Sequence, residues 1–553
     1  MSKNFEIQRG KLIGQQGPGS IYVDVDGSSY ILSAVDKWFD RQVKNKSIDS
    51  DEFEIHDTRM ENKLGVSKFF EAPEYRTTYD RNNITNTKLS IPVARFPLVE
   101  YCQECGTLRT AKATFSNKTR RCHHCNTQRQ FTQFPIVIMC EAGHIDDFPY
   151  FSYIHTEKPE GESCKRQWVD RTGPSILNWT LRCECGAHHS LTGVTGKSND
   201  SGSSPFTREM NGMKCLGRTP WTGEDTKMDC SHTPVAVLKN SLSVYSPETI
   251  EALSITDSVS DSANEGNSFG DVLEHEYNYL TGKITSEDDN KLKITLGKGF
   301  ENDKFIKSVN SVERLQQIVV QTNFHRQTPT DDYSNFEKAK KGPKESLLFS
   351  QDYKNRNWYP AKKVYGEGIF IEFNADELAL WQESEKVARY YDKLTLRVGD
   401  FYLKDRFSSP ISVMIHTLSH VLIRELSKHS GYPMVAIQER LYVEDDNLGL
   451  LLYVTDTDKD GTYGGLARLA KKEKFEKILN RALMDGQWCS SDPVCYELGH
   501  EHGQGIQNSN GAACHNCTFV PSTACSFRNC YLDRELLCRE GSEIKITEYG
   551  TFI

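Results

Sequence analysis

The chain has 553 residues, 37% of them hydrophobic and 26% charged, which is enough for several globular domains. Its formal charge of −9 counts cysteine as neutral, and each four-thiolate zinc site would add about two further negative units. That balance excludes a protein that coats nucleic acid non-specifically, so any DNA contact must come from local basic patches.

The first ten residues, Met1 to Gly10, hold no apolar core, and no run of about 18 apolar residues follows anywhere. Neither secretion nor a membrane span is expected. The expected compartment is a reducing cytoplasm, where clustered thiols bind metal rather than oxidise. Residues 1–100 read as an N-terminal α/β module. Ser20 to Val25 alternates like a half-buried strand, and Ser29 to Ser33 gives a second one after the turn Asp26-Gly27. Gly17-Pro18-Gly19 is a tight turn without the Lys and Ser/Thr of a phosphate loop.

Residues 101–235 form a cysteine-rich region. Cys102-Gln-Glu-Cys105 and Cys122-His-His-Cys125 have the spacing of a four-cysteine zinc site, since each CxxC turn presents two sulfurs on one side of a hairpin. Two disulfides are the alternative, and the compartment argues against them. Cys164, Cys183, Cys185, Cys215 and Cys230 follow, with His188, His189 and His232 close by. A second zinc is expected from Cys164, one or both of Cys183 and Cys185, Cys215 and Cys230, the alternative being buried free thiols. Arg109, Lys112, Lys118, Arg120, Arg121 and Arg129 stand beside Phe115 with no acidic residue after Glu104. This cationic finger, with Phe115 as a stacking ring, is the candidate nucleic-acid contact; a solubilising hairpin is the plainer reading.

Residues 236–405 are expected to form a middle α+β region without internal repeats. Ser258 to Ser268 reads as an exposed linker. The spacing of Val309, Val312, Leu315, Ile318 and Val319 predicts a helix from Ser308 to about Gln321. The lysine-rich stretch Lys338 to Lys363 reads as a surface loop, Gly366 to Phe373 as a strand, and Asp376 to Arg389 as a helix.

Residues 406–553 begin with a helical stripe of Ile415, Leu418, Leu422 and Leu426 that stops at Ser430-Gly431. Strands at Met434 to Ile437 and Leu448 to Val454, an acidic loop Asp456 to Asp460, Gly464-Gly465 and a helix from Leu466 to Met484 are expected next. His416 and His420 share a helix face with Ser412 and Arg424; without an HExxH pattern they read as a buried hydrogen-bonded pair. Cys489, Cys495, Cys514, Cys517, Cys525, Cys530 and Cys538 close the chain. Cys495, Cys514, Cys517 and Cys525 are the expected zinc ligands, with Cys489 as the alternative.

Other chemistry is excluded by position. Ala467 stands where an EF-hand needs its bidentate Glu, and Leu191 where a phosphate loop ending at Thr195-Gly196-Lys197-Ser198 needs Gly. There is no Gly-x-Ser-x-Gly elbow. Sites of four thiolates are closed and leave no open position to activate water, so the two or three expected zinc ions are structural.

Gly464-Gly465 before a helix, Trp488 to Cys495, Ala512-Ala-Cys-His-Asn-Cys517 and Tyr531-Leu-Asp-Arg534 resemble the DUF1998 domain found at the C-terminus of bacterial helicases. Phe134-Pro-Ile-Val137, Cys140 to Tyr150, His155, Gly17-Pro-Gly19, Gly366-Glu-Gly-Ile-Phe370 and His416-Thr-Leu-Ser-His420 are similar to the stand-alone DUF1998 proteins of the DrmB family. Those proteins belong to DISARM, a bacterial anti-phage defence system. Cys183-x-Cys185 departs from the CxxC expected there and leaves the ligands of the second zinc open. The resemblance implies a non-enzymatic subunit that binds phage DNA together with a separate DrmA-like superfamily 2 helicase, which would carry the ATPase activity. The expected fold is multidomain α+β, with zinc-ribbon-like four-cysteine modules and a DUF1998-like C-terminal domain. Two alternatives stand beside it. One is a metal-dependent hydrolase or nuclease using His416, His420 and the Asp456 to Asp460 loop; the other is a protein-binding scaffold.

Overall fold

The computed structural model describes residues 7–39, 48–76, 86–111, 121–128, 131–156, 164–196, 204–223, 229–255, 268–285, 288–300, 303–327, 332–444, 446–456 and 464–548. Helices and mostly antiparallel strands alternate along it, an α+β architecture in two compact units. One unit comprises Met1–His56, Leu64–Ile250 and Val320–Lys362; the other comprises Asp57–Lys63, Glu251–Val319 and Lys363–Ile553. The expected linear boundaries near residues 100, 235 and 405 do not follow this division. Three strands, Ser246–Leu253, Ile306–His325 and Trp358–Phe373, each give residues to both units.

The first unit is built from small sheets. Ile21–Val23 pairs with Ser29–Leu32, and Val99–Cys102 pairs with both Leu108–Thr110 and Phe131–Gln133. Ile136–Met139 pairs with Ile145–Asp147 and with Val235–Leu238. Gln167–Arg171, Trp179–Cys183 and His188–Ser190 make another three-stranded sheet. Strands this short bury little apolar area each.

The second unit has a conventional core. Helix Pro410–His429 starts at Ser409, whose hydroxyl accepts from the Ser412 amide, and ends at Ser430 before Gly431 with φ +86°. Almost every face of this helix is buried, with Ile415, Leu418, Leu422 and Leu426 packed among Leu441, Leu450 and Leu452 of the strands Ile437–Glu444 and Asn447–Asp456. Any polar side chain on it must therefore find a partner inside the protein.

Two expectations are corrected. Ser308 to Gln321 is not a helix but part of strand Ile306–His325. Val309, Val312, Leu315, Ile318 and Val319 are all buried; from Leu315 to Thr322 both faces of the strand are buried, and a bulge explains the step from Val312 to Leu315: Leu292 faces Leu315 and Lys293 faces Arg314, but Ile294 faces Val312. Skipping Glu313 resets the alternation, so residues an odd number apart both point inward. Lys338 to Lys363 is not a loop throughout, since helix Asp332–Ala339 and strand Trp358–Phe373 take its two ends. The expected linker Ser258 to Ser268 lies outside the described residues except for Ser268, which caps helix Phe269–Leu280.

Glu367 fixes the entry to the C-terminal helices. Its carboxylate, wholly buried, accepts from the amides of Gly464 at 2.7 Å, Leu466 at 2.9 Å and Ala467 at 3.2 Å, and from the Tyr432 hydroxyl at 2.8 Å. Charged acceptors of this kind are worth about 1.5–3 kcal/mol per bond. Glu367→Gln keeps the shape but removes the charge and leaves an amide where donors converge. It should cost about 2–3 kcal/mol, read as a lower urea midpoint at unchanged slope, whereas Glu383→Gln at the exposed end of helix Ala375–Gln382 should not shift it.

Candidate metal centres

Cysteines from distant stretches are brought together in the first unit by its hairpins. Cys102 ends one strand, the Gly106 amide donates to the Cys102 carbonyl, and Gly106 takes φ +71° in a turn where a Cβ would lie 2.2 Å from the Val169 oxygen. The second knuckle repeats this geometry, with the Asn126 amide on the Cys122 carbonyl and Asn126 at φ +59°. The sulfur of Cys102 lies 3.7 Å from that of Cys125, and Cys105 lies 3.6 Å from Cys122. A disulfide would put sulfurs at about 2.05 Å. Tetrahedral zinc with bonds of about 2.3 Å puts them at about 3.8 Å, so the spacing fits a metal and not a disulfide. Hydrogen bonds from the Thr127 side chain and backbone draw the Cys125 thiol down to about 6.

A second group joins Cys140, His144, Cys215 and Cys230. Cys140 and His144 flank the turn between strands Ile136–Met139 and Ile145–Asp147, with Gly143 at φ +85° and the Cys140 sulfur 3.4 Å from His144 Nδ1. Cys230 brings its sulfur to 3.9 Å from that of Cys140. Beside this turn the buried guanidinium of Arg326 donates to the Gly143 carbonyl at 2.8 Å and the Gly19 carbonyl at 3.0 Å. A cation there offsets the negative charge of three thiolates.

A third group is His155, Cys164, Cys183 and Cys185. His155 closes the short helix Tyr150–Ile154 and its Nδ1 donates to the Phe151 carbonyl at 2.8 Å. That bond fixes the tautomer and leaves Nε2, 3.4 Å from the Cys185 sulfur, with a free lone pair for a metal. The Ala187 amide holds the Cys185 thiol down to about 6. The single second zinc expected from Cys164, Cys183, Cys185, Cys215 and Cys230 is thus divided between two centres, each completed by a histidine. Sequence reasoning missed Cys140, His144 and His155 as ligands. The C-x-x-x-H spacing of Cys140 and His144 was a usable signal; the pairing of Cys140 with Cys230 was not, because only the fold brings them together.

In the second unit Cys489, Cys495, Cys514 and Cys517 converge. Cys489 lies 3.6 Å from Cys514, and Cys517 lies 3.8 Å from Cys514. Cys489 follows helix Lys472–Gln487 and Cys495 sits in the first turn of helix Val494–Glu501. Arg534, fully buried, reaches the Cys495 sulfur at 3.9 Å and both Asp492 oxygens at 3.1 and 3.2 Å. Cys489 therefore takes the place expected for Cys525. Cys525 lies instead beside His416, His420 and Glu439, while Cys530 and Cys538 are packed in the core.

Of the cationic finger, Arg109 is already engaged: its guanidinium pairs with Glu100 at 2.6 Å and covers the Phe131 ring at 3.3 Å from the centroid. Arg121 is exposed. Lys112, Phe115, Lys118, Arg120 and Arg129 lie outside the described residues, as do Asp458 and Asp460.

These groupings make opposite forecasts for neighbouring cysteines. Cys489→Ser, Cys140→Ser and His155→Gln should each remove one metal equivalent, measured by colorimetric release with a chromogenic chelator. Cys530→Ser and Cys538→Ser should remove none. Metal loss from Cys530→Ser equal to that from Cys489→Ser would refute the grouping at the C-terminal centre.

A family model for a domain of unknown function, DUF8724, matches residues 8–246, the stretch that holds the first three centres. A DISARM protein DrmB from Bacillus paralicheniformis is 27% identical over 492 residues, covering 76% of this chain and 82% of that protein. Over about three quarters of its length the chain is thus similar to a DISARM protein DrmB.

Proposed function

We propose that this DrmB-like chain is a zinc-stapled, non-catalytic component of a DISARM-type anti-phage system, acting on DNA with a DrmA-like superfamily 2 helicase in the bacterial cytoplasm. The similarity to a DISARM protein DrmB carries the assignment to the system. The donor sets carry the assignment of the metal: two groups of four cysteines and two of three cysteines with a histidine are closed tetrahedral sets, which suit zinc and leave no position for a substrate. Zinc in such sites supplies folding energy rather than chemistry. The C-terminal region, with its four-cysteine centre, is read as the DUF1998-like part of the chain. Among the described residues no helix is long and apolar enough to cross a membrane.

The hydrolase alternative lacks the geometry it needs. His416 and His420 are 0% exposed, so neither water nor a phosphodiester reaches them. Glu439, beside both histidines, pairs with Leu452, and Asp456 lies four residues further along that strand, about 13 Å away at ~3.3 Å per residue. No single metal spans that distance.

The reading is tested by reconstitution. Co-expressed with a DrmA-like helicase, the chain should co-purify, and DNA should stimulate ATP hydrolysis by the helicase. The chain alone should hydrolyse neither ATP nor DNA; turnover by the isolated chain that a point substitution in it abolishes would sink the subunit reading. The proposed phosphate path is the finger around Arg120 and Arg121. Reversing both to Glu should weaken DNA binding by the complex, and the slope of log affinity against log salt should shrink by about 0.9 per lost duplex contact. Sequence preference should stay the same, since phosphate contacts position without reading bases. An unchanged slope in a salt titration would move the DNA contact to the helicase.

A further inference from the structure

We infer that His416, His420, Glu439 and Cys525 form a fifth, fully buried metal centre of mixed ligands, closed to solvent and structural in role. Their donor atoms lie within 4.8 Å of one another, and all four side chains are buried. His416 Nε2 is 3.1 Å from Glu439 Oε1, 3.4 Å from the Cys525 sulfur and 3.1 Å from His420 Nε2. His420 Nε2 is in turn 3.7 Å from Glu439 Oε1. Around zinc with bonds of about 2.0–2.1 Å to nitrogen and 2.3 Å to sulfur, tetrahedral edges are about 3.3 Å between nitrogens and about 3.5 Å from nitrogen to sulfur. The observed separations lie close to both.

The protonation states point the same way. His420 Nδ1 lies 3.0 Å from the Thr518 carbonyl, which can only accept, so Nδ1 carries the proton and Nε2 is a bare lone pair. That lone pair, a carboxylate oxygen and a sulfur all face His416 Nε2. With both rings neutral, one N–H and the weakly donating Cys525 S–H are the protons among these four atoms, in a place that water does not reach. A divalent cation meets all four donors at once, with the His416 Nε2 and Cys525 thiol protons released on binding. The surroundings hold the ligands in place. Ser419 donates to the other Glu439 oxygen, and the His416 ring packs against Phe407 and Phe527 at 5.1 and 5.2 Å between centroids. Four protein ligands with no open position make the centre structural, and the mix of imidazole, carboxylate and thiolate selects a borderline ion such as zinc. It would tie helix Pro410–His429 and strand Ile437–Glu444 to the C-terminal segment that carries Cys525.

The test uses the full chain purified from zinc-rich medium. Elemental analysis should give five metal ions per chain, one for each donor group, and Cys525→Ser and His420→Gln should each lower the count by one while the other centres stay filled. If these variants fail to fold, an anomalous map of the wild-type protein at the zinc edge decides. A peak bonded to the Cys525 sulfur and the two Nε2 atoms supports the centre. Wild-type protein with its four sulfur-rich centres filled and no such peak would overturn it, leaving the cluster a hydrogen-bonded network. A count that does not change in folded Cys525→Ser and His420→Gln protein would overturn it equally.

Discussion

Sulfur atoms held 3.6–3.9 Å apart, too far to bond and too close to ionise together, are the constraint on which this structure depends. Thiolates at that separation repel strongly in a medium of low dielectric, and a shared dication turns the repulsion into attraction. The hydrophobic effect offers no substitute at these points. Around the first centre the buried cluster is Cys102, Cys122 and Phe131, with Cys105 and Cys125 against it. Around the C-terminal centre it is Cys489, Cys495 and Cys517 with Cys514. The cysteines there are the core. A metal held by the neighbouring cysteines would supply stability that strands of three to five residues such as Leu108–Thr110 and Gln167–Arg171 lack in buried area.

A closed site of three or four thiolates keeps a net negative charge after zinc is bound, and two buried arginines stand where that charge is left. Arg534 contacts the Cys495 sulfur and Asp492, and Arg326 is tied to the turn between Cys140 and His144. Burial lowers the Arg326 pKa to about 9, which still leaves it charged at neutral pH. It packs over Trp221 and Phe324 and donates to the main-chain carbonyls of Gly143, Val244 and Gly19. A buried arginine held mainly by carbonyls is expensive. The adjacent thiolate centre is what makes its position reasonable, so the metal and the cation are expected to be lost together.

What could be read from the sequence was local. The CxxC knuckles announce themselves because both sulfurs of a pair come from one turn, and the helix at Pro410–His429 because its apolar stripe is continuous. The division of the middle cysteines was not legible. Cys164 and Cys230 are equally good ligands in composition, and only the pairing of Gln167 with Cys183 and of Val235 with Met139 sends them to different centres. The choice of Cys489 over Cys525 has the same origin, since it rests on how the segments after residue 489 fold back. Strand Ile306–His325 was misread because a bulge and a stretch buried on both faces make a strand imitate a helical period. Histidine ligands were the hardest to see. His144 and His155 look like any other histidine until a turn aims one ring nitrogen at a sulfur.

The motifs that carry the family resemblance meet in the structure, and what they do there is hold it together. Gly366-Glu-Gly368 and Gly464-Gly465, nearly a hundred residues apart, are joined by the Glu367 carboxylate. Gly366 and Gly368 permit it, because a Cβ on either would lie within 2.6 Å of a carbonyl of the neighbouring strand. Gly17 is similarly confined, with the Tyr245 hydroxyl 2.4 Å from where its Cβ would be, and Gly19 supplies a carbonyl to Arg326. His416 and His420 close on Glu439 and Cys525 out of reach of solvent. Motifs made of ligand-type side chains, close approaches and buried anchors serve the shape of the protein, so any surface for a binding partner is to be sought in exposed residues such as Arg121 and not in the buried motifs.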